Sequence, residues 1–162
     1  MEIVFTNKID GIDLEKLMDL YEESNWENLS MVEANYTEKI DENILYQKVR
    51  QSYKAYIENE FLTSGKNYLD ILIDEKSHLS ALRLYDEGEF FLLEALETNP
   101  KYRRRGYGER LVREVINLLA KGTEIRSEVG ISNKKSLVLH KKIGFKIKEK
   151  RKNGLVLKFK IY

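Results

Sequence analysis

Three consecutive arginines at positions 103–105 stand directly before Gly106 and Gly108, where a helix pattern begins. The first backbone N–H groups of a helix have no intrahelical partner and lie at the positive end of the helix dipole. Guanidinium groups match phosphate oxygens, and glycine lets a ligand approach the backbone closely. The segment therefore predicts a site for a phosphate-bearing anion. An ordinary solvated turn is the alternative interpretation of the same residues.

A second segment, NKKSLVLHKKIGF at residues 133–145, follows after one predicted helix and one predicted strand. The string RRRGYG at 103–108 resembles the Arg/Gln-x-x-Gly-x-Gly/Ala loop of the GNAT superfamily, the acyl-CoA-dependent N-acyltransferases. The second segment is similar to the Asn…Leu-Tyr-x-Lys-x-Gly-Phe signature of that superfamily. Because both motifs occur in the superfamily's order and at a usual spacing, the chain is identified as a member.

The resemblance implies that acetyl-CoA binds as a co-substrate. No metal is expected, because two distant histidines without a cysteine do not make a metal site. The pyrophosphate of acetyl-CoA is expected on the glycine loop. Its pantetheine arm is expected in a gap where the strand at about 92–98 separates from the next strand at a bulge. The implied cofactor-binding residues are Leu96, Thr98, Arg103, Arg104, Arg105, Gly106, Tyr107, Gly108, Glu109, Asn133 and Ser136.

The implied reaction is attack of a neutral amine on the acetyl thioester, which needs a base, a stabilised oxyanion and a proton for the leaving thiolate. An alkyl amine has a pKa of about 10.4, so a proton must be removed. Glu94 is the predicted base, because relatives that act on polyamines carry a glutamate at that place, and burial makes a carboxylate more basic. A structural or substrate-anchoring carboxylate is the alternative. Strand alternation places Glu97 on the opposite face.

His140 occupies the place where the superfamily usually has a tyrosine. An imidazole with an ordinary pKa near 6.5 can donate a proton, so His140 is the predicted general acid. The neighbouring Lys141 and Lys142 favour its neutral form. Two alternatives remain open: a polar side chain beside the sulfur with water delivering the proton, or a tyrosine from the N-terminal half acting in its place. His78 is expected to be exposed in a hairpin turn.

The elements that must position these residues follow from hydrophobic periodicity. A strand is predicted at 2–6, helices from about 13 and at 41–61, and irregular chain at 24–37. Three strands with short turns lie between 67 and 100, which indicates an antiparallel meander. A helix from 106, a strand at 123–130, a helix at 133–143 and two final strands complete the chain. The prediction is a single-domain α/β GNAT fold with a mixed, mostly antiparallel sheet of six to seven strands and four helices, in the order β-α-α-β-β-β-α-β-α-β-β.

Composition limits the function classes. The chain has 162 residues, no cysteine and a net charge of +1, which excludes disulfides and thiolate chemistry and argues against bulk nucleic-acid binding. Residues 1–66 carry seven basic and fourteen acidic side chains, a net −7, and residues 67–162 carry twenty-one and thirteen, a net +8. The expected organisation is one domain over 1–162, with acceptor-side helices in 1–66 and an acetyl-CoA core in 67–162. The absence of a signal peptide or long apolar run predicts a cytoplasmic protein.

The acceptor is predicted only as a small-molecule or peptide amine. Acidic residues of the first helices favour a cationic one, such as a polyamine, an aminoglycoside or a basic peptide. A homodimer is possible, and neither nucleic acid nor membrane is an expected partner. Two rival functions remain: a non-catalytic CoA-binding module, suggested by His140 in the usual tyrosine place, and a nucleic-acid binder using 103–105 and the lysine-rich 146–160.

Overall fold

A seven-stranded mixed sheet forms the centre of the computed structural model, which describes residues 1–162. Its strands are β1 (Glu2–Thr6), β2 (Tyr68–Asp74), β3 (Ser77–Asp86), β4 (Phe91–Thr98), β5 (Glu124–Gly130), β6 (Lys146–Arg151) and β7 (Gly154–Lys160). Their spatial order is β1-β2-β3-β4-β5-β7-β6. Only β4 and β5 pair in parallel, and the other neighbours are antiparallel. The predicted α/β fold class is confirmed.

Six helices flank the sheet. They are α1 (Leu14–Leu20), α2 (Glu22–Glu27), α3 (Leu29–Glu33), α4 (Glu42–Tyr56), α5 (Tyr107–Leu118) and α6 (Lys134–Ile143). Asp13 and Asp41 cap α1 and α4 by accepting from backbone N–H groups of the first turn, as expected of N-cap aspartates. The four predicted helices are present. The segment at 24–37, predicted as irregular, contributes the short helices α2 and α3, whose six and five residues are too few to show a clear period.

Two buried clusters lie on opposite faces of the sheet. One joins α1 and the π-helical turn Ile57–Phe61, which continues α4, to β2 and β3. The other joins α5 to β2–β5 and β7, and the apolar face of α5 supplies Leu111, Val112 and Val115. None of the helices has the length and apolarity that a membrane span needs.

His78 is buried, and the expectation of an exposed turn residue is wrong. The hairpin turn between β2 and β3 contains only Glu75 and Lys76, so His78 already belongs to β3. Glu75 takes a positive φ of 52°, which allows the turn to close within two residues. Burial lowers the pKa of His78.

Asp70 is a carboxyl group within the apolar layer between the sheet and α5. Its side chain is 0% exposed, and neither carboxyl oxygen has a hydrogen-bond partner. Tyr68 and Leu72, two residues away on the same strand face, belong to this layer. Burial raises the pKa of Asp70 well above its usual range, because the charged form loses its hydration there.

Replacement of Asp70 by Asn is expected to stabilise the protein at pH 8 but not at pH 3.5. The contribution of Asp70 to the free energy of unfolding is fully present below its unfolded-state pKa of 3.8, and it is lost as the pH rises through the raised folded-state pKa. Asparagine has the same shape and does not ionise, so we expect a gain of more than about 1 kcal/mol, or about 2–4 °C in Tm, at pH 8. The exposed Asp74→Asn is the control, and equal gains at both pH values would contradict the assignment.

Candidate active site

Strands β4 and β5 separate halfway along their length. They pair only from Phe91 with Ile125 to Leu93 with Ser127, although β4 continues to Thr98. Ala95 has a positive φ of 52°, so it forms the bulge that the resemblance implies, and its carbonyl accepts a hydrogen bond of 2.6 Å from the Tyr21 hydroxyl. Beyond the bulge, the backbone groups of β4 that face β5 have no strand to pair with and are available to a ligand.

The arginine-loop cavity lies where β4 ends and α5 begins. Gly106 caps α5 with a φ of 77°, and the N–H groups of residues 107–109 precede the first intrahelical donor, Arg110. Gly108 lies close to β4, because a Cβ at this position would come within 3.3 Å of the Thr98 hydroxyl. The helix N-terminus and the narrow backbone approach together suit a phosphate group.

Ten of the eleven predicted cofactor-binding residues line this cavity. The exception is Arg105, whose guanidinium lies 5.9 Å from the centre of the Tyr102 ring. Arg103 forms an ion pair with Glu23 of α2, so an anion in the cavity must compete with that carboxylate. Glu109 forms ion pairs with Arg113 and Lys142, and hydrogen bonds from these two cations lower its pKa.

The second cavity, the strand cleft, lies in the gap between β4 and β5. It is lined by Arg83, Glu94, Ala95, Leu96, Ser127, Asn133, Ser136, His140 and adjacent backbone. Asn133 caps α6 by accepting from the Ser136 N–H, and it borders both this cleft and the arginine-loop cavity. The structure therefore brings the two predicted catalytic side chains, Glu94 and His140, to one cleft.

His140 is 2% exposed, and its two ring nitrogens have different surroundings. Nδ1 lies 2.7 Å from the backbone oxygen of Ser136, an atom that only accepts, so Nδ1 carries the proton and donates. Nε2 is buried and has no partner within the protein. Burial lowers the pKa of His140, although the hydrogen bond to Ser136 opposes this effect. In the neutral imidazole Nε2 is therefore a bare acceptor, and only the imidazolium form has a proton there to give.

The third cavity, the tyrosine cavity, has a volume of about 350 Å³ and lies between α1, α2, α3, α4 and the bulge. Tyr21, Tyr53, Tyr56, Met31, Val32 and Val49 provide most of its apolar wall. Burial raises the pKa of Tyr53 to about 12, so its phenol stays protonated at neutral pH. The charged residues of this cavity are Arg83 and Glu97.

The bulge places Glu94 and Glu97 on the same face of the sheet, opposite Arg83 and Ala81 of β3, which corrects the strand-alternation expectation. Glu94 lies 3.7 Å from the Arg83 guanidinium in the strand cleft, and Glu97 borders the tyrosine cavity with Arg83. A bulge inserts one extra residue and so shifts the side-chain alternation. The Glu94 side chain is 41% exposed. Glu97 is partly buried, and this burial raises the pKa of its carboxyl group.

Sequence reasoning missed Arg83, Glu97 as a cavity residue, and the tyrosines Tyr21, Tyr53 and Tyr56. A charged residue in the buried run ALRLY of β3 is the one local signal that marks Arg83, since buried charges are paired or functional. The tyrosines carry no such signal, because α1 and α4 are distant in sequence from β4.

Comparison with known proteins finds a matching family and solved structures of the same fold. The family model described as FR47-like protein matches residues 72–153. No curated protein matches the sequence. The PaiA N-acetyltransferase from Thermoplasma acidophilum in complex with coenzyme A is similar over 100% of both chains, with 20% identity and a TM-score of 0.68.

Two further solved structures have the same fold. Aminoglycoside 6′-acetyltransferase type Ii is 14% identical over 100% of this chain and 98% of its own, with a TM-score of 0.67. A GNAT-family acetyltransferase from Bacillus cereus is 16% identical over 100% and 99%, with a TM-score of 0.65.

Proposed function

The chain belongs to the FR47-like family of the GNAT superfamily, and from this premise we propose that it moves an acetyl group from acetyl-CoA to a primary amine. The proposal rests on the observation that the three cavities adjoin one another near the β4 bulge, because neighbouring cavities share lining residues. The arginine-loop cavity and the strand cleft share Leu96, Asn133 and Ser136. The strand cleft and the tyrosine cavity share Arg83 and Ala95.

This continuity suits two substrates that meet at one point. The diphosphate of acetyl-CoA would lie on the arginine loop, residues 103–108. Its pantetheine arm would follow the free edge of β4, which brings the thioester near Glu94 and His140. The amine would enter through the tyrosine cavity and reach the thioester beside Ala95. The structures similar to this chain include an N-acetyltransferase in complex with coenzyme A, which supports the choice of donor.

We propose that Glu94 takes the first proton from the ammonium group of the acceptor, directly or through water. The amine nitrogen then attacks the thioester carbonyl carbon and the C–S bond breaks. The leaving thiolate takes a proton from the His140 imidazolium or from water, and the second proton of the nitrogen returns to that donor. The products are the acetamide, coenzyme A thiol and one proton released to solvent. Glu97, whose pKa burial raises, is the alternative base within reach of the tyrosine cavity.

For His140 we propose proton donation to the thiolate only in the imidazolium form. Because its pKa is lowered by burial, this contribution is present at acid pH and disappears as the pH rises through that lowered value. His140→Phe is therefore expected to reduce kcat more at pH 5.5 than at pH 8, where water delivers the proton. His78→Phe, which removes the other buried histidine, is the control. A loss that is equal at both pH values would demote His140 to a side chain that fills space beside the sulfur.

A thiol-release assay with acetyl-CoA tests the function, with a panel of amines that includes a polyamine, an aminoglycoside, a basic peptide and free amino acids. Turnover with any member, confirmed by mass spectrometry of the acetamide, supports an acetyltransferase. Tight acetyl-CoA binding without turnover would favour the CoA-binding module. Salt-dependent nucleic-acid binding that saturating coenzyme A leaves unchanged would favour the third possibility.

The acidic residues that suggested a cationic acceptor lie mostly outside the tyrosine cavity. Glu23 and Glu27 border the arginine-loop cavity, and Asp19 pairs with Arg50 on α4. A cationic acceptor therefore stays a prediction that depends on the field of the whole N-terminal half. The residues that directly line the tyrosine cavity include one cation, Arg83, and one carboxylate, Glu97, so the cavity itself is not predominantly acidic.

A further inference from the structure

Arg83 is a buried cation without a hydrogen-bond partner. Its side chain is 13% exposed, its Nε is buried and unpaired, and its nearest carboxylate oxygen, on Glu94, is 3.7 Å away, beyond hydrogen-bonding distance. The guanidinium lies 5.3–5.7 Å from the ring centres of Tyr53, Tyr56, Phe61 and Tyr85. These rings hold its position but offer no anion.

Arg50 of α4 shows how the same protein satisfies an arginine of equal burial. Its side chain is 12% exposed, and it donates to Asp19 at 2.9 Å and to Glu15 at 2.7 Å. Arg50 also donates to the Glu15 backbone oxygen. A buried guanidinium that lacks such acceptors is costly to maintain. The contrast indicates that the acceptor of Arg83 is a ligand, and Arg83 borders the tyrosine cavity.

We propose that Arg83 binds a carboxylate of the acceptor, so that the acceptor is a small amine that also carries a carboxylate, such as an α-amino acid. The inference rests on the proposed function, because it assigns the tyrosine cavity to the acceptor. Guanidinium and carboxylate form a charge-assisted pair with two parallel hydrogen bonds. The cavity volume of about 350 Å³ lies at the lower end of the range for small-molecule sites.

The remaining residues of the cavity fit the rest of such a molecule. Glu97 is the carboxylate on the cavity wall, and it suits the ammonium group before the proton is removed. The pairing of β3 with β4 sets Arg83 opposite Glu94 and Ala81 opposite Glu97, which separates Arg83 from Glu97 by two residues, or about 7 Å along the strands. The apolar side chains of Met31, Val32 and Val49 face the same space and suit the body of the acceptor.

The test compares pairs of ligands that differ only by the carboxylate: L-phenylalanine with phenethylamine, L-leucine with 3-methylbutylamine, and L-lysine with cadaverine. Binding to the protein saturated with coenzyme A is measured by calorimetry, and turnover with acetyl-CoA is measured in parallel. For at least one pair the wild type is expected to bind the carboxylate-bearing member about tenfold or more tightly. Arg83→Met is expected to abolish this preference.

Arg50→Met is the matched control, and it is expected to keep the preference. Thermal unfolding of both variants shows that they fold. Arg83→Met removes a guanidinium whose ion pair with Glu94, at 3.7 Å, lies beyond hydrogen-bonding distance, and it is expected to leave Tm unchanged or raised. Arg50→Met loses two hydrogen-bonded ion pairs and is expected to lower Tm.

The outcomes of this test distinguish a failure of the carboxylate site from a failure of the proposed acetyltransferase activity. A preference that is absent in the wild type for all three pairs, or that survives in Arg83→Met, overturns the carboxylate site. An Arg83→Met variant in which kcat falls equally for both members of a pair, with binding unchanged, also overturns it and assigns Arg83 to the oxyanion. A carboxylate preference that depends on Arg83, without turnover of any amine, supports the site and contradicts the acetyltransferase.

Discussion

Gly106→Glu is expected to weaken acetyl-CoA binding by about 100-fold or more while the protein stays folded. The new side chain has room, since no atom lies within 4 Å of a Cβ at this position. Its carboxylate, however, would stand at the N-terminus of α5, where the diphosphate is proposed to lie. Two like charges about 4 Å apart near a protein surface repel each other by on the order of 4 kcal/mol. Calorimetric titration with coenzyme A measures the loss.

Backbone strain is the other consequence of this change, and Gly122→Glu controls for it. Gly106 and Gly122 have positive φ angles of 77° and 90°, and a Cβ added at either position would have no atom within 4 Å. Both variants therefore carry a similar strain of about 1–3 kcal/mol. Gly122 lies beyond the C-terminus of α5, about 18 Å along the helix from Gly106. Unchanged coenzyme A affinity in Gly106→Glu, or an equal loss in both variants, would contradict the location of the phosphate site.

The arginine loop was predictable because its determinants are local. A glycine with positive φ, a run of arginines and a helix start all lie within six residues, 103–108, so the sequence encodes the shape without help from distant contacts. The apolar face of α5 was predictable for a similar reason, since its buried residues recur at helical spacing. These local signals predicted the fold and the loop on which acetyl-CoA is proposed to bind.

The acceptor side could not be predicted in the same way. The sequence gives no sign that Ala95 adopts a positive φ, so regular alternation predicted Glu94 and Glu97 on opposite faces. The bulge in fact places both on the same face, opposite Arg83 and Ala81. The tyrosine cavity joins Tyr21 and side chains from α2, α3, α4, β3 and β4, and its shape depends on tertiary packing between segments that are distant in the sequence. The one indication of this cavity in the sequence was Arg83, a charged residue within the mostly buried strand β3.

Glu94→Gln is expected to lower kcat by about 100-fold or more near pH 7, which is the range for loss of a general base. The KM for acetyl-CoA is expected to stay nearly unchanged, because Glu94 does not line the arginine-loop cavity in which the diphosphate is proposed to bind, and glutamine has the same shape beside the thioester. The deficit should shrink as the pH rises toward the amine pKa of about 10.4, since the acceptor then loses its proton to solvent without assistance. Steady-state kinetics between pH 6 and 10 with a turned-over amine measures both effects.

Glu97→Gln is the matched variant that decides which carboxylate takes the proton. Both changes replace a carboxylate in a cavity that Arg83 also borders by an amide of the same shape. If Glu97 only holds the ammonium group, its variant raises the KM for the amine and leaves kcat within about threefold of the wild type, because the lost contact acts equally on ground state and transition state. A large kcat loss in Glu97→Gln, with Glu94→Gln near wild type at all pH values, would transfer the role of base to Glu97. The raised pKa that burial gives Glu97 would then be the property that suits it to accept a proton from the bound ammonium.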